Sequence, residues 1–389
     1  MASLVHLTTY YPEVIQRLYK ARPDLVSGTF ANQQNALLEL RFAWSDVWKH
    51  ALAAFGYQVE EIILNAKHLQ LAWANEHGIK SEESSWLFDV ARSQITQLKP
   101  EYIFLDDFTV FSFAQLKILK ESAPGATLFG WCGVPFARVD IFRGYDFILS
   151  NIPDIVNQLR QAGHSAFALR HAFDRRLTSE LHLRNVQLPQ LTFSGSMNTS
   201  EGWHRERMEF IDELAQSVPM SIASEYFNRL PPLTRRLCGS ARPSVRWLGA
   251  VLRPSSLPLR PATIVAMQPA KYGVEMYEFL AGSTVTFNKH ISASAEHATN
   301  MRLFEATGAR ACLVTEQTKD LATLFEPDSE VVTYTSVAEC KEKVAWLLGN
   351  PQKALQIAQR GQMRTLREHT FESRAPELDA ILRKNKKGA

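Results

Sequence analysis

The sequence predicts an α/β protein with two doubly wound parallel sheets that face each other across a cleft. Short apolar runs alternate with helix-length amphipathic segments through most of the chain, and this alternation starts again near Leu191. Strand–helix alternation requires right-handed crossovers and gives a parallel sheet that is covered by helices on both faces. The chain of 389 residues is also too long for one core of ordinary size. We therefore expect two domains of ~190 residues each.

In the first half of the chain, length and periodicity separate buried strands from helices. The predicted strands are Leu4–Thr8, Val59–Leu64, Tyr102–Leu105, Thr127–Phe129 and Phe147–Leu149. The predicted helices are Ala31–Phe55, Trp86–Leu98, Phe113–Ser122 and Ile155–Ala162. Residues 169–188 follow no sustained period, which is typical of a connector.

The second half repeats this architecture without repeating a short sequence motif. It begins with a strand and glycine loop at Leu191–Ser196, followed by a helix at about Trp203–Gln216. Its further elements are expected at Ala262–Met267, Gly273–Ala281, Thr284–Asn288, Asn300–Gly308, Ala311–Thr315, Val331–Tyr334, Val337–Leu348 and Pro351–Glu368. The predicted domains are residues 1–170 and 191–370, with a connector at 171–190. Residues 371–389 are expected to form a helix and basic tail that can cross back to the first domain.

Composition excludes several classes of protein. A net charge of +3 with 21% charged residues indicates neither general nucleic-acid binding nor disorder. The four cysteines are scattered without Cys-x-x-Cys spacing, so neither a zinc site nor a disulfide framework is indicated. The first residues do not resemble a signal peptide, and no apolar run approaches the ~20 residues that span a bilayer. We therefore expect a cytoplasmic location.

The stretch from Tyr226 to Val274 is strongly basic. It contains no Asp or Glu, and it contains Lys271 and seven arginines: Arg229, Arg235, Arg236, Arg242, Arg246, Arg253 and Arg260. One interpretation is a loop-rich surface insertion whose arginines are solvated. The other is an electropositive rim for a phosphorylated ligand or for an anionic, membrane-associated one.

The sharpest chemical signal lies between Lys271 and Leu324. A predicted strand ends at Asn288 and is followed by Lys289 and His290, and a helix then opens at Thr299 or Asn300. Arg302 and Glu305 lie three residues apart on one face of that helix. A helix N-terminus is a natural seat for a diphosphate, and a carboxylate one turn further can accept hydrogen bonds from a ribose or sugar diol. The alternative is a simple salt bridge on the surface.

A long motif surrounds these two residues. From Asn300 the chain reads N-x-R-x-F-E-A-x-G, followed by a strand ending in Thr-Glu, by Leu-x-x-Leu-Phe-x-Pro and by Arg-x-His-Thr. The matching positions are Asn300, Arg302, Phe304, Glu305, Gly308, Thr315, Glu316, Leu321, Leu324, Phe325, Pro327, Tyr334, Ile357, Gly361, His369 and Thr370. In this pattern the chain closely resembles the C-terminal domain of the spore-maturation-protein-like (CgeB-like) glycosyltransferases.

The resemblance extends more weakly upstream. PEYIFLDD resembles a strand and loop of that family, Gly130–Pro135 stands in the place of its glycine-rich loop, and the segment after Leu191 resembles the loop that opens its second domain. The resemblance implies a GT-B fold of two Rossmann-like domains. It also implies transfer of a sugar from a nucleotide-sugar donor to a hydroxyl acceptor, which could be a glycan, a lipid-linked glycan, a protein or a small molecule.

The same resemblance suggests which residues bind the donor. Glu305 matches the carboxylate that related enzymes place on the ribose or the donor sugar. Arg302, Lys271 and Arg205 (or Arg207) are the candidates for the leaving diphosphate. The further substrate-binding candidates are Asn300, Gly195, His290 and Gly133. One position departs from the pattern, because His297 stands where retaining relatives often carry Glu, and this leaves the stereochemical outcome open.

Catalysis by inversion would need a base from the first domain. Asp106 and Asp107 follow a predicted strand and are the candidates, although they could equally be a helix cap and a turn. His6 and His171 are weaker candidates. The chain lacks a spaced Asp-x-Asp pair, so we expect no metal, and we expect no other cofactor. The partners expected are the nucleotide-sugar donor and the hydroxyl acceptor, with no nucleic acid and at most peripheral membrane contact. A nucleotide-sugar epimerase and a non-catalytic nucleotide-sugar-binding module remain the alternatives.

Overall fold

The computed structural model describes residues 2–181, 191–197, 202–255, 257–292 and 296–387. The chain divides into two compact units. The first consists of Met1–Arg170 and Phe371–Ala389, and the second of His171–Thr370. Residues 182–190, which end the predicted connector, lie outside the described part of the chain.

Twelve strands are present within the described ranges. They are Ala2–Thr8 (β1), Tyr57–Ile63 (β2), Tyr102–Leu105 (β3), Thr127–Trp131 (β4), Phe147–Ser150 (β5), Ala166–Ala168 (β6), Leu191–Ser194 (β7), Met220–Ala223 (β8), Met267–Gln268 (β9), Val285–Asn288 (β10), Leu313–Glu316 (β11) and Val332–Tyr334 (β12).

Eighteen α-helices are present within the same ranges. They are Pro12–Ala21 (α1), Phe30–Leu38 (α2), Val47–Ala51 (α3), Lys67–Glu76 (α4), Trp86–Leu98 (α5), Phe113–Ser122 (α6), Pro153–Gln161 (α7), Leu177–Glu180 (α8), Gly202–Ser217 (α9), Tyr226–Arg229 (α10), Pro232–Cys238 (α11), Pro243–Val251 (α12), Pro261–Ala266 (α13), Gly273–Ala281 (α14), Arg302–Gly308 (α15), Val337–Gly349 (α16), Pro351–Glu368 (α17) and Phe371–Lys384 (α18). None of these helices combines the length and the apolarity that a membrane crossing requires.

The first unit is built on a six-stranded sheet in the order β2-β1-β3-β4-β5-β6. All neighbouring strands are parallel. Phe104, Phe129 and Phe147 lie on three adjacent strands and stack with ring centroids 4.7 Å apart at each step. The strand order reverses between β1 and β3, and ligands of doubly wound sheets bind at the carboxyl ends of such a pair.

Helix α18 packs on the first unit. It buries Phe371, Ala375, Leu378 and Leu382, and the ring of Phe371 meets that of Trp48 on α3 at 5.1 Å. The apolar residues recur at three- and four-residue spacing, so one stripe of the helix faces the core. This helix is therefore a structural part of the first unit.

The prediction of one long helix at Ala31–Phe55 is wrong. The structure forms α2 and α3 instead, with a 3₁₀ turn at Ala53–Phe55. Three residues between these two helices have positive φ angles, which are 51° at Arg41, 52° at Ala43 and 44° at Asp46. These angles lie in the left-handed region, which L-residues in a right-handed helix cannot adopt, so the helix is interrupted there.

The second unit contains another all-parallel six-stranded sheet, in the order β12-β11-β10-β7-β8-β9. Its strand order reverses between β7 and β10, which makes the ends of these two strands the place to look for a ligand. The basic stretch predicted to be loop-rich forms four short helices, α10 to α13.

Two glycines permit close packing in the second unit. A Cβ on Gly308 would approach the ring of Phe173 to 2.3 Å, and a Cβ on Gly361 would approach the Glu330 carbonyl oxygen to 2.5 Å. Both residues belong to the motif noted in the sequence, so part of that motif serves packing.

Candidate functional site

Asn300 organises the loop at the reversal point of the second sheet. Its amide Nδ2 donates to Asn288 Oδ1 at 2.9 Å, and its Oδ1 accepts from the backbone N–H of Arg302 at 2.8 Å. Asn288 Nδ2 donates in turn to Thr315 Oγ1 at 3.0 Å, and the hydroxyl of Tyr334 donates to the Asn288 carbonyl at 2.8 Å. These bonds tie the start of α15 to the ends of β10, β11 and β12.

Helix α15 is shorter than predicted. It begins at Arg302 rather than at Thr299 or Asn300 and has seven residues. The diphosphate seat expected at this helix N-terminus stays a prediction, and one of the first amides of the helix is already bonded to Asn300.

Arg302 and Glu305 form a largely buried ion pair. Arg302 Nη1 lies 2.8 Å from Glu305 Oε2, with the two side chains 14% and 9% exposed. Arg302 Nε also donates to the carbonyl of Ser194, the last residue of β7, at 3.1 Å. The alternative of a solvated surface pair is thus excluded, because both side chains are largely buried where the strand order of the second sheet reverses.

Glu305 has a second partner in Tyr277 on α14. The tyrosine hydroxyl donates to Glu305 Oε1 at 3.4 Å. Burial and the neighbouring Glu305 carboxylate raise the pKa of Tyr277 well above its usual range. The hydroxyl therefore stays protonated, and the carboxylate is oriented by two donors on different helices.

Arg207 on α9 supplies a second buried guanidinium next to Arg302. Its Nη2 donates to the Ser196 carbonyl and, at 2.7 Å, to His204 Nδ1. Its Nε is buried and has no hydrogen-bond partner among the described residues. Burial, and to a lesser extent the charge of Arg302, lowers the pKa of Arg207 to about 10, against the opposing effect of Glu225. Arg207 therefore remains charged at neutral pH, with hydrogen-bonding capacity left over.

Glu225 and Ser196 line the same edge of the sheet, beyond β8 and β7. The Ser196 hydroxyl donates to Glu225 Oε1, and the Ser224 hydroxyl donates to Oε2 at 3.3 Å. Glu225 therefore has its own hydroxyl partners, and no direct ion pair between it and Arg207 is present among the described residues. The guanidiniums of Arg207 and Arg302 are neighbours, and such groups are suited to bind an anion.

Lys289 and His290 follow β10. Lys289 Nζ donates to Glu206 Oε1 at 3.0 Å and to Glu316 at the end of β11. Burial opposes the ionisation of Glu316, but the neighbouring His290 and Lys289 outweigh it and lower the pKa of this carboxyl. His290 is 4% exposed, and neither of its ring nitrogens has a hydrogen-bond partner in the described part of the chain. Its Nδ1 lies 3.7 Å from Glu316 Oε2, so Nε2 is the ring nitrogen that remains for a ligand.

Arg205 does not join this cluster. Its side chain is 76% exposed and pairs with Glu209 at 3.0 Å. Residues two apart on a helix project in directions about 200° apart, so Arg207 faces inward and Arg205 outward. The sequence itself indicates that Arg207 faces inward, because Met208, Ile211 and the apolar residues that follow mark the buried face of α9 next to Arg207.

The other predicted donor-binding residues have mainly local partners. Lys271 Nζ donates to Glu275 at 2.6 Å and lies 5.7 Å from the ring centroid of Phe279. Gly195 donates to the Ala223 carbonyl at 3.1 Å, which fixes the turn that follows β7.

Two residues of the predicted loops remain to be placed. A Cβ on Gly133, beyond β4 in the first unit, would approach Trp131 Nε1 to 2.8 Å. The glycine therefore allows the chain to pass close to that ring. His297 Nδ1, in the second unit, lies 3.6 Å from Asp320 Oδ2.

In the first unit, His6 joins two carboxylates at the reversal point of the sheet. Its Nδ1 lies 3.0 Å from Glu61 Oε2, and its Nε2 lies 3.2 Å from Asp106 Oδ2. Thr8 Oγ1 donates to the same Asp106 oxygen at 2.6 Å. Burial lowers the pKa of His6, but Glu61 and Asp106 outweigh it and raise the pKa to about 10. The imidazole is therefore charged and holds Asp106 at the carboxyl edge.

Asp107 belongs to a turn. Its Oδ1 accepts from the backbone N–H of Thr109 at 3.0 Å and from the Thr109 hydroxyl at 2.6 Å, and its Oδ2 accepts from Thr9 at 3.2 Å. Oδ1 is thus engaged in the turn, and Oδ2 is bonded to the residue that follows β1. His171 is buried, and burial lowers its pKa to about 3, so it is neutral at physiological pH.

The titratable side chains of the described ranges include no group of three or more His, Cys, Asp or Glu residues arranged to hold a metal ion. All four cysteines are buried and free. Independence from metal stays a prediction.

Comparison of the fold with solved structures gives full-length matches. A glycosyltransferase from Rickettsia africae ESF-5 superimposes with a TM-score of 0.60 at 9% identity, covering 100% of this chain and 99% of that one. HepE of Anabaena, in complex with UDP and glucose, gives 0.55 at 11% identity, covering 99% and 100%. A sucrose-phosphate synthase from Thermosynechococcus elongatus gives 0.54 at 10% identity, covering 99% of each chain.

The fold is GT-B. The predicted fold class is therefore confirmed, since both parallel sheets and their helices match GT-B structures along their whole length. Residues 224–380 of this GT-B protein match the family model described as "Glycosyl transferase-like". That segment contains α15 with Arg302 and Glu305. No protein among the curated ones matches the chain.

Proposed function

We propose that this protein is a glycosyltransferase that moves a sugar from a nucleotide-sugar donor to a hydroxyl acceptor. The observation that carries the proposal is the buried Arg302–Glu305 pair beside Arg207, at the strand-order reversal of the second sheet. The glycosyltransferase-like match at residues 224–380 and the GT-B fold support it.

The two arginines are proposed to bind the donor diphosphate. Arg207 has an unused buried N–H, and Arg302 is fixed by Glu305 and by the Ser194 carbonyl. When the bond to the sugar breaks, negative charge builds on the leaving nucleotide, and fixed cations stabilise that charge more than the charge of the bound donor. We also propose that the reaction proceeds without a metal, because the guanidiniums of Arg207 and Arg302 can neutralise the charge of a diphosphate.

Glu305 and His290 are proposed to bind hydroxyl groups of the donor. A carboxylate held by Arg302 and Tyr277 retains lone pairs for a ribose or sugar diol. His290 is buried next to Glu316 without a hydrogen bond to the described residues, so a donor hydroxyl would satisfy it. Asn300 and Gly195 shape the loop around these groups. Lys271 is proposed to lie at the rim, where it would have to leave Glu275 to reach a phosphate.

Asp106 is the proposed base for the acceptor hydroxyl. It lies 16% exposed at the carboxyl edge of the first sheet, and both His6 and Thr8 hold its Oδ2. Its Oδ1 accepts no hydrogen bond from the described residues and is the atom proposed to accept the proton. Asp107 and Gly133 are proposed to stabilise the loops at the carboxyl edge of the first sheet. This assignment belongs to an inverting reaction, for which His297 in place of a second Glu is a supporting observation.

UDP is the first nucleotide to test, because HepE was captured with UDP and with UDP-glucose. From the motif around Asn300 we further propose membership of the spore-maturation-protein-like subfamily, and we propose a cytoplasmic location.

Calorimetric titration with UDP and UDP-glucose in excess EDTA tests the donor site. We expect binding in the chelator, and its absence there together with restoration by Mg²⁺ would refute the metal-free site. A second assay follows the donor with and without an acceptor mixture. Complete conversion to a free isomer without acceptor would identify an epimerase, and binding without any turnover would identify a non-catalytic module.

A further inference from the structure

The exposed face of α12 carries a patch of large apolar side chains. Trp247, Leu248, Val251 and Leu252 are 48%, 51%, 63% and 56% exposed, and Leu233 on α11 is 60% exposed. Fourteen large hydrophobic side chains are exposed in the described part of the chain, and five of them lie within the 20 residues from Leu233 to Leu252. Such a concentration marks an interaction surface, whereas single exposed hydrophobic residues are ordinary.

The orientation of α12 explains why these residues are exposed. The helix buries its small residues, Gly249 and Ala250. A Cβ on Gly249 would approach Leu237 Cβ of α11 to 2.6 Å, so α12 is held against its neighbour through its glycine. A helix that buries small residues and exposes a tryptophan and three aliphatic side chains has its larger apolar face unpartnered.

The surroundings of this patch are positively charged. No Asp or Glu occurs from residue 226 to residue 274. Arg236 and Arg242 are exposed without an ion pair to a described carboxylate. Arg246 and Arg253 donate to backbone carbonyls, which leaves their charge unneutralised. Arg260, by contrast, pairs with Asp212 at 3.3 Å, and Lys271 at the end of the stretch pairs with Glu275 at 2.6 Å.

We propose that this surface, residues 233–253, docks on an anionic lipid bilayer. Tryptophan and aliphatic side chains on one face of a helix enter the interfacial region of a bilayer, and arginines around them bind acidic headgroups. A second copy of the chain is the poorer occupant, because two equally basic faces would repel each other. The proposal concerns a surface of the second unit and holds independently of the donor chemistry.

Vesicle flotation at low and high salt tests the proposal, with phosphatidylcholine vesicles and with mixed phosphatidylcholine–phosphatidylglycerol vesicles. We expect the protein to float with the anionic vesicles, to bind the neutral ones roughly tenfold less, and to be released by salt. The double variant Trp247→Ser/Val251→Ser and the double variant Arg236→Glu/Arg242→Glu should each lose binding by roughly tenfold or more.

Matched controls separate this surface from general stickiness. Trp346→Ser removes a tryptophan that is 53% exposed on α16, and Arg360→Glu reverses an exposed charge on α17, and neither should change flotation. Unchanged melting and UDP binding of the patch variants would show that they are folded. Failure of the wild type to bind anionic vesicles, or equal binding by patch and control variants, would overturn the proposal. So would a wild-type dimer that the patch variants convert to monomers, since a second copy would then occupy the surface.

Discussion

Arg302 Nη1 lies 2.8 Å from Glu305 Oε2 inside one turn of a seven-residue helix, and neither side chain is more than 14% exposed. Surface ion pairs contribute little to stability, and buried pairs must recover the cost of leaving water. The pair is therefore expected to be important for ligand binding rather than for holding the helix in place.

Glu305→Gln separates these roles. The substitution keeps the shape and removes the charge, so donor affinity should fall by ~1–3 kcal/mol, the range for a lost charged hydrogen bond. Calorimetry with UDP-glucose measures the effect, and Glu209→Gln on the exposed pair with Arg205 is the control. If Glu305 served only as a counter-ion of Arg302, its removal would instead strengthen the binding of the diphosphate.

Arg207→Gln and Arg205→Gln form a second matched pair on α9. Loss of the buried guanidinium should weaken UDP binding by about 1.5–3 kcal/mol, the usual range for hydrogen bonds to charged groups. Loss of the exposed one should have an effect below ~1 kcal/mol. Titration of both variants with UDP at constant ionic strength gives the comparison. Equal losses of UDP affinity in the two variants would mean that UDP binding depends only on the net charge of α9.

His6 should make the first unit less stable in alkali. Its pKa rises from 6.5 to about 10 on folding, so the stabilisation is fully present below pH 6.5 and is lost as the pH approaches 10. The slope can reach ~1.4 kcal/mol per pH unit for one proton. Urea unfolding followed by tryptophan fluorescence at several pH values measures it.

His6→Asn should flatten this alkaline limb while lowering stability at neutral pH, because Glu61 loses its buried partner. His171→Asn is the control. Burial lowers the pKa of His171 to about 3, so the titration of this residue changes the free energy of unfolding only below about pH 6.5. An alkaline limb that persists in His6→Asn would assign the titration to another group.

Gly361→Ala should destabilise the second unit by ~1–3 kcal/mol, the range for overpacking, because the new Cβ would meet the Glu330 carbonyl oxygen at 2.5 Å. Gly349→Ala places a methyl group where no atom lies within 4 Å, and it should be neutral or stabilising by up to ~1 kcal/mol. Thermal unfolding of the two variants measures the difference. A destabilised Gly349→Ala with an unaffected Gly361→Ala would contradict the packing described here.

The sequence predicts the elements whose signals are local. β3, α5, α6 and α17 begin and end at the predicted residues, because each is a continuous apolar run or a clear helical period with a distinct boundary. The break between α2 and α3 has no glycine or proline to announce it, and its positive φ angles fall on Arg41, Ala43 and Asp46. Packing around that turn imposes a conformation that residue preference does not indicate.

The same distinction applies to the candidate site. Asn300, Arg302 and Glu305 are close in sequence, and the motif that contains them could be read directly. The cluster of His6, Glu61 and Asp106 joins residues 55 and 100 positions apart, so only the strand order brings them together. The choice between Arg205 and Arg207 depended on the rotation of α9 about its axis, which the apolar spacing indicates but the motif alone does not.

Helix α18 has a consequence for how the chain is made. A ribosome completes the whole of the second unit, residues 171–370, before it synthesises the helix that finishes the first unit. Until then the first unit lacks Phe371, Ala375, Leu378 and Leu382, and the apolar groove that receives them stays open to water. The segment translated first is thus the one whose core closes last, and we expect it to expose apolar surface while the second unit is being synthesised.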